Sequence, residues 1–229
     1  FVSFVAHELK NPMTSIKGYT ELLAAGAVGT VNEAQANFLA TIRSNIDRMN
    51  TLVSDLNDLS KIEAGRLRLE FKSLSVPEVI EEVVRSVRRQ IEDKEQELII
   101  DLSADLPQVW ADRTRLAQVL VNLVSNAHKY TEEGGRIFVG AERSPNRWDD
   151  ASAAEVLHLW VQDTGIGIDP ADQPYVFDRF YKVDRAHTGL GSGLGLSIAS
   201  ELIKSMGEKI WLKSAPGEGS SFFFTLKRA

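Results

Sequence analysis

The sequence predicts two unlike domains. A helical hairpin pairs with a copy of itself as a dimeric four-helix bundle, and an α/β sandwich with one mixed sheet and helices on one face follows it. Apolar residues at Val2, Val5, Leu9, Pro12, Ile16, Tyr19 and Leu23 step by three and four, which makes a heptad seam on a helix. A second seam follows a turn: Phe38, Ile42, Met49, Leu52, Leu56 and Leu59. The period then changes to two, with Leu67, Leu69 and Phe71 alternating against Arg66, Arg68 and Glu70. This change places the domain boundary between 1–65 and 66–229.

The elements follow in order. The first helix runs from near residue 1 to about Ala25, with a bend expected at Pro12, which crowds the carbonyl of Glu8. Ala25–Asn32 is a turn, and the second helix spans Glu33 to about Ile62 with Gly65 as its cap. One hairpin cannot bury two seams, hence the homodimer through residues 1–65. In the second domain Ser75-Val-Pro-Glu78 reads as a capping box for a helix to about Asp93. Short strands at Glu97–Leu102 and Gln108–Ala111 precede a helix capped by Asp112 and ending near Thr131. Strands at Arg136–Glu142 and Glu155–Gln162 flank a polar insertion. A helix from Leu194 to Met206 and a hairpin, Lys209–Ser214 with Ser220–Leu226, close the chain.

The 229 residues are 43% hydrophobic and 25% charged, ordinary for a globular protein able to bury a core. The absence of Cys excludes disulfides, thiol nucleophiles and cysteine zinc sites, and the four His lie far apart. A net charge of −6 argues against nucleic acid or an anionic membrane as partner. No apolar run approaches the ~20 residues of a membrane span, so no direct membrane contact is expected. The chain starts inside a helical pattern without Met and reads as a fragment with no signal peptide.

Four clusters carry chemistry. On the first helix His7 lies at heptad position f, away from the seam, with Glu8 beside it and Asn11 one turn on. On the helix capped by Asp112, with Gln118 at zero, Asn122, Asn126 and Lys129 lie at about 40°, 80° and 20°, beside an apolar arc from Leu116 to Ala127. Amide oxygens suit Mg²⁺ and an ammonium suits phosphate. Asp163-Thr-Gly-Ile-Gly-Ile-Asp169 follows a strand: a carboxylate there can accept from an exocyclic amine, and Gly165 and Gly167 let backbone approach a flat ligand. Gly189-Leu-Gly-Ser-Gly-Leu-Gly195 opens a helix whose N–H groups suit phosphate. It is neither a Rossmann fingerprint nor a P-loop.

Taken together these motifs resemble the catalytic core of a two-component sensor histidine kinase. His7-Glu-Leu-Lys-Asn-Pro12 resembles the phosphoacceptor box and Asn122-Leu-Val-Ser-Asn-Ala-His-Lys-Tyr130 the asparagine box. Asp163–Gly167, Phe177-Asp-Arg-Phe-Tyr181 and Gly189–Gly195 resemble the first glycine, phenylalanine and second glycine boxes. All five stand in family order and at family spacing. Ala6 and Met206-Gly-Glu-Lys209 depart from the usual Ser and His-Gly-Gly.

The resemblance implies a dimerisation and histidine-phosphotransfer hairpin followed by a Bergerat-type ATP-binding domain, in a cytoplasmic stretch of the protein. It implies transfer of the ATP γ-phosphoryl to Nε2 of His7, and then to an aspartate on a response-regulator receiver domain. Glu8 would orient His7, and Asn11 would hold a water for the reverse, phosphatase activity. Asn126 would ligate Mg²⁺, with Asn122 near the phosphates. Lys129, with Arg179 or Lys182, would balance charge, and Tyr130 would flank the nucleotide. Asp163, Gly165 and Gly167 would receive adenine. Phe177 and Phe180 would anchor a lid by packing, and Gly189, Leu190, Gly191, Ser192, Gly193, Leu194 and Gly195 would close over the phosphates. Two other readings stay open: a different ATPase of the same superfamily, against which His7-Glu8 argues, and a non-catalytic ATP-responsive dimerisation module, against which the intact motifs argue.

Overall fold

The structure, a computed structural model, describes residues 2–145, 155–182 and 192–229, with backbone alone at 2–4 and 7. The chain divides into two compact units, Phe1–Leu67 and Arg68–Ala229.

The first unit is a hairpin of α1 (Val2–Ala24) and α2 (Glu33–Glu63). α1 remains helical through Pro12. Asn32 and Gln35 form a reciprocal capping box at the start of α2, with bonds of 2.8 and 2.9 Å. Its far end closes on Gly65 at φ 62, where Gly65 N–H reaches Ile62 O and Arg66 N–H reaches Lys61 O, a Schellman turn.

The buried stripe of α1 differs from the expected seam. Ala6, Met13 and Thr20 are buried, whereas Leu9, Ile16, Tyr19 and Leu23 are exposed, as are Phe38, Ile42, Met49 and Leu56 on α2. Two helices alone share only a narrow strip, while a bundle helix carries an apolar face wider than one partner covers. The large side chains of both helices thus await further helices.

The second unit builds one five-stranded sheet in the order β2-β4-β5-β7-β6 from β2 (Glu97–Leu102), β4 (Arg136–Pro145), β5 (Glu155–Asp163), β6 (Ile210–Ala215) and β7 (Gly219–Lys227). β2 and β4 are parallel, and the other pairs are antiparallel. A small sheet pairs β1 (Lys72–Leu74) with β3 (Val109–Ala111). On β5, Leu157, Leu159 and Val161 are fully buried, alternating with half-buried His158 and Trp160, so one face of the sheet meets the core. That core is completed by apolar stripes of α3 (Val76–Asp93), α4 (Arg113–Tyr130) and α5 (Gly195–Ser205). On the other face His158, Trp211 and Phe223 stack at centroid distances of 5.2–5.6 Å, shielding one another.

Two local expectations are corrected. Ser75 makes no side-chain cap: Pro77 removes one of the donors a cap would satisfy, and Glu78 instead faces Arg113 at 3.4 Å. β4 continues to Pro145, so the insertion is shorter than expected on that side. Glu208, in the run that departs from the family pattern, accepts from Thr225 Oγ1 (2.7 Å) and Lys227 N–H (3.0 Å), fastening the turn after α5 to β7.

Candidate functional site

α4 starts at Asp112, which accepts Arg115 N–H at 3.1 Å and Glu70 N–H at 2.9 Å. Its buried stripe is Leu116, Val119, Leu120, Leu123, Val124 and Ala127, the whole apolar arc of the sequence. Anchored by that stripe, the helix holds Asn122, Asn126, Lys129 and Tyr130 half-buried. The Asn122 amide donates to Gly195 O at 3.1 Å, tying α4 to the first residue of α5. The Asn126 side chain makes no hydrogen bond to any described residue, which leaves its amide oxygen open to a ligand. Lys129 Nζ lies 2.6 Å from the Tyr130 hydroxyl and 4.1 Å from its ring centroid, so the two side chains act as one unit.

Asp163 ends β5 and is 4% exposed. Its Oδ1 accepts Gly165 N–H (2.9 Å) and Ser220 N–H (3.2 Å). Among the described residues Oδ2 accepts nothing. Burial pushes the carboxyl above its ordinary range, opposed by those two N–H groups. A buried carboxylate with one oxygen held and one open is ready for an external donor.

The glycines beside it have a reason other than the one read from sequence. A Cβ on Gly165 would lie 2.3 Å from Tyr130 O, and one on Gly167, at φ 69, would lie 1.9 Å from Ala215 O. They make room for the chain's own backbone, packing the loop against the end of α4 and against β6. Ile166 N–H also donates to Tyr130 O at 3.3 Å.

Beyond a short 3-10 turn (Gln173–Tyr175), Phe177 packs edge-on against Phe222 at 6.2 Å. Phe180 does not pack as expected: its side chain is 62% exposed. It anchors through backbone instead, its N–H donating to Gly193 O at 2.9 Å while it holds a left-handed φ of 62. Ser192 Oγ accepts Leu194 N–H at 3.1 Å, and Gly193 takes φ 75 against the Phe180 backbone. Arg179 is exposed and Lys182 half-buried. Gly189, Leu190 and Gly191 lie outside the described residues.

On the hairpin, the His7 backbone is helical, with Glu8 and Asn11 exposed beside it. Sequence reasoning missed Ser220, whose N–H holds Asp163, and Gly219, where a Cβ would lie 2.0 Å from Asp163 O. The glycine of the Pro-Gly-Glu-Gly turn was the available signal. Lys94 and Gln96, which bind the end of α4, carry no local signature.

Two family models match the chain. One, described as the histidine kinase-, DNA gyrase B- and HSP90-like ATPase, takes in residues 111–229. The other, described as the His Kinase A (phospho-acceptor) domain, takes in residues 1–65. Drug sensory protein A of Synechocystis is 37% identical over 99% of this chain and 34% of its own length. Sensor histidine kinase WalK of Bacillus subtilis is 35% identical over 99% of this chain and 36% of its own. The chain therefore spans about a third of these relatives. Among solved structures, full-length ShkA in complex with AMPPNP is similar with a TM-score of 0.80 at 25% identity, covering 100% of this chain and 46% of that one. The catalytic domain of histidine kinase ThkA is similar with a TM-score of 0.58 at 29% identity, covering 69% of this chain and 96% of that one.

Proposed function

Because the chain belongs to the two-component sensor histidine kinase family, as its phosphoacceptor and ATPase core, we propose that it transfers the γ-phosphoryl of ATP to Nε2 of His7. From there the group passes to an aspartate of a response-regulator receiver domain. The observation that carries this reading is Asp163, buried with one oxygen fixed and the other open, at the end of the central strand in a domain of the ATPase family.

In the nucleotide site Asp163 Oδ2 accepts from the adenine amine. Tyr130 flanks the nucleotide, and Lys129, with Arg179 or Lys182, balances phosphate charge. Asn122 and the run from Gly189 through Ser192 to Gly195 border the phosphates. Asn126, whose amide is open, fits Mg²⁺, an ion that takes few protein ligands and completes its shell with phosphate oxygens and water. When bound, Mg²⁺ neutralises charge on those oxygens.

For transfer, His7 attacks through a ring nitrogen that carries no proton, because only that form has a lone pair to give. The N–P bond forms as the bond from phosphorus to the bridging oxygen breaks, and ADP leaves with that electron pair. Glu8 accepts from Nδ1–H, fixing the tautomer and stabilising the cation that develops. In the second step a receiver carboxylate takes the phosphoryl and returns neutral His7. Asn11 orients a water for the reverse hydrolysis of the phosphorylated regulator. The exposed seams of the hairpin support a homodimer through residues 1–65. No described helix is long and apolar enough to cross a membrane, and we place this stretch in the cytoplasm, where ATP is available.

His7→Gln tests the division into two sites. It is expected to bind ATP as wild type does and to incorporate no phosphate; a parallel loss of ATP affinity would refute the assignment.

A further inference from the structure

Residues 94–96 join α3 to β2, far in sequence from every motif above. The Lys94 ammonium donates to three carbonyls at the C-terminus of α4: Thr131 at 2.6 Å, His128 at 3.0 Å and Lys129 at 3.4 Å. The Gln96 amide, 6% exposed, donates to Thr131 O at 2.7 Å, His128 O at 3.1 Å and Glu132 O at 3.3 Å. Glu95, between them, takes a left-handed φ of 53, a strained state for a residue with a side chain. Because the Gln96 N–H groups face carbonyls, its Oε1 accepts from His128 Nδ1 at 2.6 Å, which fixes that ring's tautomer. Burial and the nearby Lys94 charge push the His128 pKa down, keeping the ring neutral.

The last carbonyls of an α-helix have no partner within it. In α4 each is accounted for. Lys94 and Gln96 take those of His128, Lys129 and Thr131, and the remaining one, Tyr130 O, accepts Ile166 N–H. Tyr130 O also abuts Gly165, whose N–H holds Asp163 Oδ1. The helix end is thus fixed on one side by Lys94 and Gln96 and bonded on the other to the loop that carries the adenine acceptor. A cation at this end also offsets the negative pole of the helix dipole, close to residues that face an anionic nucleotide.

We infer that Lys94 and Gln96 are positioning residues for the nucleotide: by holding the α4 terminus they set the Gly165–Asp163 loop and the Lys129–Tyr130 pair. This rests on the nucleotide reading above. Lys94→Met keeps the aliphatic stem and removes the donor. Measured on the full chain well below its melting temperature, KM for ATP should rise about two- to thirtyfold, the range for a residue acting through a contiguous network. The rate at saturating ATP should fall less. Because the displaced group reads the adenine amine, KM for ATP should rise more than KM for GTP. Lys94→Arg, which keeps the charge and donors, should recover most of the loss, and Gln96→Met should resemble Lys94→Met. A folded Lys94→Met with lowered melting temperature but wild-type KM for ATP would overturn the inference and leave only a structural cap. Equal rises for ATP and GTP would also overturn it. If wild-type protein bound no ATP, the nucleotide reading itself would fall.

Discussion

Asp163→Asn changes one atom at the centre of the proposed nucleotide site. Oδ1 keeps both backbone donors, at 2.9 and 3.2 Å, so the loop keeps its shape. Oδ2, the free acceptor, becomes an NH₂ that faces the adenine amine donor to donor. Losing a hydrogen bond to a charged group costs about 1.5–3 kcal/mol, which is about ten- to a hundredfold in the ATP dissociation constant. Nucleotide-free stability should move the opposite way. The folded-state pKa of Asp163 is raised by burial, so the fold favours the protonated acid. That contribution is present below the ordinary carboxylate pKa and is lost as pH rises through the folded-state value. At neutral pH the ionised carboxylate therefore costs stability that the neutral amide does not. Without nucleotide, Asp163→Asn should melt at or above the wild-type temperature at pH 7, and the difference should shrink in acid. Titration with ATP and thermal melts across pH measure both. An affinity loss under about threefold, less than 1 kcal/mol, would refute the adenine-acceptor role, and a lower melting temperature at pH 7 would refute the electrostatic argument.

Further outcomes follow from the same geometry. Leu56, exposed in the single chain, and half-buried Leu52 should become monomer-forming sites when both are changed to Asp, and sedimentation of wild type as a monomer at micromolar concentration would sink the dimer. Glu8→Gln should slow His7 labelling by about 10²–10⁴-fold, the usual worth of a positioned proton acceptor, with ATP affinity intact. Asn11→Ala should keep labelling and lose regulator dephosphorylation; equal loss of both activities in both variants would mean one shared docking patch. Gly167→Ala must place a methyl group 1.9 Å from Ala215 O at φ 69. The left-handed backbone alone costs about 1–2 kcal/mol, so calorimetry should find melting at least a few degrees lower, and an unchanged melting temperature would contradict the stated packing.

What was legible in the sequence was what depends on local pattern. The Asp112 cap, the buried arc of α4 and the alternation of β5 all rest on residues within a turn or a strand of one another. The Schellman turn at Gly65 belongs to the same class. What was not legible depends on distant partners. Glu78 left its capping role for Arg113, 35 residues away. Gly165 and Gly167 are small because the Tyr130 and Ala215 carbonyls lie against them. Lys94 and Gln96 look like turn residues until α4 is placed beside them. The α1 seam pointed to a bundle, yet a pattern of apolar residues does not say which of them a single neighbour covers, and Ala6, Met13 and Thr20 became the inner stripe.

In the proposed reaction His7 carries phosphate drawn from ATP. The most direct measurement is incubation of the full chain with γ-labelled ATP and Mg²⁺, followed by acid and alkali treatment and peptide mapping by mass spectrometry. A phosphoramidate on His7 predicts label that is lost in acid, survives alkali and maps to the peptide containing His7. Acid-stable label, or label on any other residue, would contradict it.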